Sequence, residues 1–472
     1  VKVLLVQPKN QTRFTKKTLS VFNVVERAAA VIPIGITHVG GAFAAEGWEV
    51  LLDDRNTDWL SDERFLHKVQ EYAPDLIGVS LSFTAQATNA LKMVSELKAR
   101  FPATPLLVGG THATFVPAES LNAGADFIAL YEAEETMRDL ARALANHEDA
   151  ASVAGLALMR NGEVVLTPAR PAIRDLDSIP SPVFTGLPLS FYANNPYPLI
   201  AGRGCNYSCY FCASPGFIKG SRYRSVDHVM AEIERARALG FKTLGFADDN
   251  LASNRERFLE LCERLKPLQM PWEFNAFSME LDLEMLTAAA ASACRAVRIG
   301  VESGSNRVLK VIKAGSTTER FEEMVGQAVS LGMRPICGFM FPHHNDTVET
   351  VEETRAFMRK LNAMGAQTNM NLSTPFPGSR LWKHPKSLKI EIKSTNWDEY
   401  DVRTPTFTTE AFPTLEEIQK IFATFEDLQF ENATNIAMKV VKNMGLSIPP
   451  EVETLIGAAM PGLVRMLTGR GS

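Results

Sequence analysis

The feature that most limits what this chain can fold into is an alternation of short β-type runs with helix-type runs that fills its first 145 residues. Val3 to Val6, Glu49 to Asp53, Leu76 to Leu81, Pro105 to Val108 and Asp126 to Leu130 read as strands. Ile34 to Gly47, Arg64 to Tyr72, Ala87 to Arg100, Ala118 to Ala123 and Glu134 to Ala145 read as helices. Strands separated by helices pair in parallel rather than as hairpins, which predicts a doubly wound α/β sheet. Ligands of such sheets lie beyond the carboxyl ends of the strands. Those ends read Gln7-Pro8-Lys9, Asp53-Asp54-Arg55-Asn56, Ser80-Leu81-Ser82-Phe83-Thr84, Gly109-Gly110-Thr111-His112 and Tyr131-Glu132-Ala133-Glu134. Small and polar residues concentrate there.

The texture changes over residues 146–195, where "GLALMRNGEVVLTP" carries a hairpin turn at Asn161-Gly162 and "LDSIPSPVFTGLP" is broken by prolines. This segment reads as a linker with a small hairpin. A second alternation then fills residues 196–385, with strands expected at Tyr197 to Ala201, Thr243 to Ala247, Trp272 to Phe277, Ala296 to Val301, Arg334 to Phe341 and Thr368 to Thr374. Six β/α units predict a partial or complete parallel barrel with its active site at the strand carboxyl ends. Residues 386–472 read as a helical tail: Thr414 and Glu417 have capping-box spacing, and Leu415, Ile418, Ile421, Phe422, Phe425 and Leu428 form one apolar stripe. The later "IPPEVETLIGAAMPGLVRML" is too short to span a bilayer and suits packing or peripheral contact.

With 46% hydrophobic residues, 472 positions can fill about three cores. A net charge of −5 gives no global reason to bind nucleic acid or an anionic membrane surface. The chain opens on a strand-like "VKVLLVQP" without a charged-then-apolar leader, and no transmembrane run is expected, so a cytoplasmic location is expected. Of six cysteines, Cys262, Cys294 and Cys337 are scattered singly, as reduced buried thiols are. Cys205, Cys209 and Cys212 are not: "GRGCNYSCYFC" places them within eight residues, directly after the first strand of the second alternation. A structural zinc site normally takes four protein ligands, and the chain has no second Cys-x-x-Cys. Three thiolates better suit a [4Fe-4S] cluster whose fourth iron stays open to an outside ligand.

Cys-x3-Cys-x2-Cys after the first strand of a β/α barrel resembles the radical SAM superfamily. Phe211, just before the last cysteine, fits the family pattern of a residue near the SAM adenine. "GVESGS" from Gly300 to Ser305 is similar to the family's SAM-contacting Glu-Ser-Gly element, and "TPFPGS" from Thr374 to Ser379 to its sixth-strand segment. Asp248-Asp249-Asn250 closes strand two, where the family sets polar groups against the SAM amino end. The resemblance therefore implies SAM contacts at Phe211, Asp248, Asp249, Glu302, Ser303, Thr374 and Pro375. Taken alone, a strand-end acidic pair is usually a helix cap and a Pro-Gly pair usually a turn.

The sheet ahead of the barrel resembles the cobalamin-dependent, class B branch of that superfamily. "VGGTHAT" from Val108 to Thr114 looks like its Gly-Gly-x-His-x-Thr loop, and "SLSFTAQ" from Ser80 to Gln86 like its third-strand loop. The implied cobalamin contacts are Ser82, Thr84, Gly109, Gly110, Thr111 and His112. The implied fold is a Rossmann-like, cobalamin-binding doubly wound sheet, a partial (β/α)6 radical SAM barrel and a helical tail. Three departures stand out. The Asp-x-His-x-x-Gly motif that supplies an axial histidine to cobalamin elsewhere is absent, since the second-strand loop reads "DDRNTDW". The fifth-strand loop reads "LYEAEET" where many relatives have a Gly-Glu-Gly turn, and the barrel's strand five ends in "GFMFPHHNDT" where relatives often have Gly-x-Pro-Gly-Glu. His343 and His344 thus stand near expected substrate or SAM: one is a candidate hydrogen-bond partner or proton acceptor, against a plain surface-loop role. Adjacent strand residues point to opposite faces, which argues against a shared metal.

The function implied is methylation of an unactivated carbon in a small metabolite or lipid-like molecule, with the methyl group carried by cobalamin and a 5′-deoxyadenosyl radical made from SAM. An external one-electron reductant such as flavodoxin or ferredoxin is implied as partner. The alternatives are a cobalamin-dependent rearrangement or cyclisation without methyl transfer, and a non-catalytic corrinoid or cluster sensor.

Overall fold

The computed structural model of the chain describes residues 1–10, 31–57, 61–426 and 428–429. The first sheet runs in the order β2-β1-β3-β4-β5-β6-β7, with β1 Lys2–Gln7, β2 Glu49–Asp54, β3 Leu76–Ser80, β4 Leu106–Gly109, β5 Phe127–Ala129, β6 Leu156–Arg160 and β7 Glu163–Leu166. Strands β1 to β5 are parallel. Val3 to Val6 are buried throughout, because helices cover both faces of the sheet and leave no solvent side for polar residues to alternate onto. The expected hairpin forms with Asn161 at φ +52° and Gly162 at φ +81°, as its Asn-Gly pair requires. It does not belong to a separate linker: β6 pairs antiparallel with β5 and extends the first sheet.

The second sheet is entirely parallel, in the order β8-β11-β12-β13-β14-β15, with β8 Tyr197–Leu199, β11 Leu244–Phe246, β12 Trp272–Ala276, β13 Cys294–Glu302, β14 Arg334–Phe341 and β15 Gln367–Leu372. Strands β8 and β15 are its two edges and do not pair, so the expected barrel is an open one. Its helices start on side-chain caps such as Ser225, Asn254, Asp282 and Thr317, and Thr347 makes a full capping box with Thr350. Two short strands, β9 Gly202–Arg203 and β10 Arg222–Tyr223, pair antiparallel and close the base of the cysteine loop.

The segment after the barrel is not wholly helical. β16 Glu391–Ile392 and β17 Phe407–Thr408 form a small antiparallel ribbon before a helix over residues 415–426. Thr414 Oγ1 accepts from the Glu417 amide at 3.2 Å, and Ile418, Phe422 and Phe425 are fully buried, as the apolar stripe predicts. The stretch "IPPEVETLIGAAMPGLVRML" lies outside the described residues. Among the described residues, no helix is long and apolar enough to cross a membrane.

Candidate active site

The carboxyl ends of the two sheets meet at one cavity of about 470 Å3. From the first sheet it is lined by Ser82, Phe83, Gly109, Gly110, Thr111 and Tyr131; from the second by Gly202, Arg203, Phe217, Ile218, Asp248 and Asp249. Four of the six residues expected at a corrinoid therefore face, across one cavity, two of those expected at SAM. Gly110 stands at φ +117°, and a Cβ there would lie 2.7 Å from the Leu81 carbonyl and from Ser82 Oγ. Only glycine lets this loop fold flat enough for a large planar ligand to approach its backbone. The deeper lining, Leu5, Ile36, Val79, Leu107, Ala129 and Met137, is apolar.

Thr84 and His112 turn away from the cavity. His112 is buried, its Nδ1 3.2 Å from Thr84 Oγ1 and its Nε2 3.6 Å from Glu119 Oε2. Its ring meets Trp397 edge-on at 5.0 Å, and the Trp397 indole donates to Glu119 at 2.8 Å. His112 thus packs between the fourth-strand loop and the segment after the barrel, outside the cavity lining. The histidine in the cavity lining is His38, on the helix Ile34–Ala45, which the sequence motifs did not mark. Burial lowers its pKa, favouring the neutral ring.

The fifth-strand loop explains its own departure. Glu132 Oε1 accepts from Arg203 at 3.0 Å, Glu134 also pairs with Arg203, and Arg222 reaches Glu132 Oε2 at 2.8 Å. Burial alone would raise Glu134, but Arg203 outweighs it and holds the carboxyl near about 2. The acidic turn of the first sheet therefore grips both feet of the cysteine loop.

Within that loop Gly204, at φ +84°, passes so close to the Gly220 carbonyl that a Cβ would sit 2.1 Å from the oxygen. Cys205, Cys209 and Cys212 are half-buried and unpaired. Burial pushes all three thiols up, Cys212 to about 12, so taking up metal must displace protons. Among the described residues no group of three or more His, Cys, Asp or Glu converges on a single metal ion. The donor chemistry of three thiols on one glycine-opened loop fits an iron–sulfur cluster, whose corners are separate irons.

Around the loop, Ser214 donates to Asp249 at 2.7 Å, and Asp248 accepts the Ala201 amide at 3.0 Å. Complete burial raises Asp248 to about 7. Phe211 is half-buried against the barrel core. Glu302 stands at φ +70° and pairs with Lys313 Nζ at 3.2 Å, while Lys313 also donates to the Gly300 carbonyl. Lys313, buried over the Phe277 ring, is a polar group that the motifs did not flag. Ser303 and Thr374 are buried with their hydroxyls bonded within the protein, Ser303 to Thr354 at 3.2 Å and Thr374 to the Leu372 carbonyl at 3.2 Å; Pro375 is buried beside them. None of these three lines the cavity. His343 is fully buried and bonded to Tyr210, which corrects the surface-loop expectation; burial lowers it to about 4. His344 is half-buried, its ring edge-on to Tyr210 at 4.8 Å.

Residues 21–141 match the B12 binding domain, and residues 199–358 match the radical SAM superfamily. The chain thus joins a B12 binding domain to a radical SAM domain. It is 27% identical to an uncharacterized methyltransferase of Pyrococcus horikoshii, over 82% of this chain and 85% of that one. It is also 27% identical to the anaerobic magnesium-protoporphyrin IX monomethyl ester cyclase of Rubrivivax gelatinosus, over 83% of this chain and 73% of that one. Two solved structures share the fold. OxsB, a cobalamin-dependent S-adenosylmethionine radical enzyme with aqua-cobalamin and S-adenosylmethionine bound, superposes with TM-score 0.73 at 16% identity, covering 99% of this chain and 71% of that one. TsrM of Kitasatospora setae, a radical S-adenosylmethionine methyltransferase with tryptophan substrate and a SAM analogue bound, gives 0.67 at 20% identity, covering 84% of this chain and 79% of that one.

Proposed function

We propose that this enzyme methylates a carbon of a small metabolite or lipid-like molecule, using cobalamin, SAM and a [4Fe-4S] cluster. The observation that carries this reading is the single cavity between the two sets of strand ends, with Gly109 and Gly110 on one wall and Asp248 and Asp249 on the other. Cys205, Cys209 and Cys212 would hold the cluster; Ser82, Gly109, Gly110 and Thr111 would face cobalamin. Bound there, the cluster with SAM supplies a hydrogen-abstracting radical, and cobalamin supplies the methyl group. The chain's own residues confine that reactivity. The apolar depth of the cavity excludes water, Phe217 and Tyr131 narrow it from opposite domains, and the Arg203 to Glu132 and Glu134 pairs keep its two walls facing. Glu302 and Lys313 offer opposite charges to the zwitterionic end of SAM, and Asp248 and Asp249 add acceptors. An external one-electron reductant such as flavodoxin or ferredoxin completes the requirements.

Anaerobic incubation with SAM carrying a deuterated methyl group, a strong reductant and fractionated small-molecule extracts tests this. The expected result is a labelled product, with S-adenosylhomocysteine and 5′-deoxyadenosine in comparable amounts, because each methylation uses one SAM in each role. Likeness to the cyclase supports a second reading, rearrangement or cyclisation without methyl transfer. A modified but unlabelled product, with deoxyadenosine and no S-adenosylhomocysteine, would establish it.

The placement of His112 carries a further prediction. The cob(II)alamin form should show no nitrogen splitting from His112 in electron paramagnetic resonance, and His112→Ala should leave that spectrum unchanged. Its cost falls on stability, about 1–3 kcal/mol in denaturant unfolding, because a packed buried ring is lost. A splitting that disappears in His112→Ala would contradict the placement, whereas one that survives it would point to His38.

A further inference from the structure

We propose that His343 is a positioning residue that ties the cysteine loop to the SAM-facing turn at the end of β13, so that cluster geometry and SAM binding are set together. Its three polar groups each engage a different element. Nδ1 accepts from the Tyr210 hydroxyl at 2.8 Å, Nε2 faces the Glu302 carbonyl at 3.2 Å, and the backbone amide donates to Asp346 Oδ2 at 2.7 Å. A carbonyl can only accept, so the ring proton sits on Nε2 and Nδ1 is left to receive the tyrosine proton. One neutral tautomer therefore satisfies the whole chain of bonds.

Both ends of the chain lie where the chemistry is expected. Tyr210 stands between Cys209 and Cys212, and its carbonyl accepts the Leu381 amide at 2.9 Å, so the middle of the loop is fastened to the turns after β14 and β15 at once. At the other end the register between β13 and β14 shifts at Gly300/Glu302, and Glu302 takes the left-handed φ of +70°. That conformation costs a residue with a side chain about 1–2 kcal/mol and persists only where neighbours hold it. The bond from His343 to the Glu302 carbonyl supplies that hold and aims the carboxylate at Lys313. Removing the imidazole would free the cysteine loop from Glu302 while every cluster ligand and every side chain expected at SAM keeps its identity.

This inference rests on the proposed cluster and SAM sites. Its test uses the anaerobically reconstituted full chain with Tyr210→Phe, His343→Gln and the double variant. Iron and sulfide per chain should match the wild type. SAM affinity by equilibrium dialysis should fall about tenfold, as the loss of one buried hydrogen bond implies. The change that SAM makes in the electron paramagnetic resonance spectrum of the reduced cluster should shrink in parallel, and the double variant should be no worse than the worse single one. Tyr210→Phe keeps the ring in place and decides the matter if His343→Gln does not fold. Wild-type affinity and a wild-type spectral change in Tyr210→Phe, or additive losses in the double variant, would overturn the coupling. A wild-type chain that takes up no cluster would overturn the proposed function and this inference with it, and would be seen before any substitution is made.

Discussion

Arg203→Ala should cost the apoprotein about 3–5 kcal/mol, the largest stability loss expected from any single substitution in the site, because it strands a buried carboxylate. Arg203, Glu132 and Glu134 are only 11%, 7% and 7% exposed in their side chains, so water cannot take over the lost pairing. The sign with pH follows from Glu134, whose pKa Arg203 holds near about 2 against an ordinary 4.5. A depressed carboxylate contributes stability that is fully present above about pH 4.5 and is lost as pH falls toward 2. The penalty of Arg203→Ala should therefore be complete at pH 7 and shrink on acidification through that window. Urea unfolding of wild type and variant across pH 3 to 7 measures it; a pH-independent penalty would show that Arg203 acts through packing alone. Because Arg203 lines the cavity and joins its walls, the same variant should also lose cobalamin affinity.

The second large effect falls on the metal. Replacing Cys205, Cys209 and Cys212 together by Ala should abolish iron uptake and reduce 5′-deoxyadenosine formation to background. Replacing Cys262, Cys294 and Cys337 should leave both intact. The difference is one of environment as well as spacing: Cys205, Cys209 and Cys212 are only half-buried on one loop, whereas Cys262, Cys294 and Cys337 stand singly and fully buried inside the cores. Full iron content in the first triple variant, measured by colorimetric iron and sulfide assay, would remove the cysteine loop from the mechanism.

What the sequence made legible was local. Both runs of alternating strands and helices follow from periodicity, and strand β14 spans the residues that its apolar run marked, Arg334 to Phe341. The turn at Asn161-Gly162 was legible because only a few residue pairs tolerate two positive φ angles in succession. Where that hairpin docks was not, since β6 finds β5 through pairing that no local pattern encodes. The same holds at the site. His112 stands in a loop that resembles a corrinoid contact, yet Trp397, from far along the chain, draws its ring away from the cavity. His343 reads as a loop residue until Tyr210 is brought against it. Lys313 closes a helical run as surface lysines do, and only the fold brings it over Phe277 to Glu302. The acidic turn at Glu132 and Glu134 departs from the corrinoid-domain pattern, and its partners, Arg203 and Arg222, belong to the other domain.

One cavity serving two cofactors is tested most directly by electron paramagnetic resonance of the chain loaded with both cob(II)alamin and the one-electron-reduced cluster. The expected spectrum shows each signal broadened or split by the other relative to the singly loaded forms, because the residues that flank the cysteine loop, Gly202, Arg203, Phe217 and Ile218, line the same cavity as Gly110. Two signals that simply add, each as sharp as when its partner is absent, would place the cofactors apart and contradict the shared site.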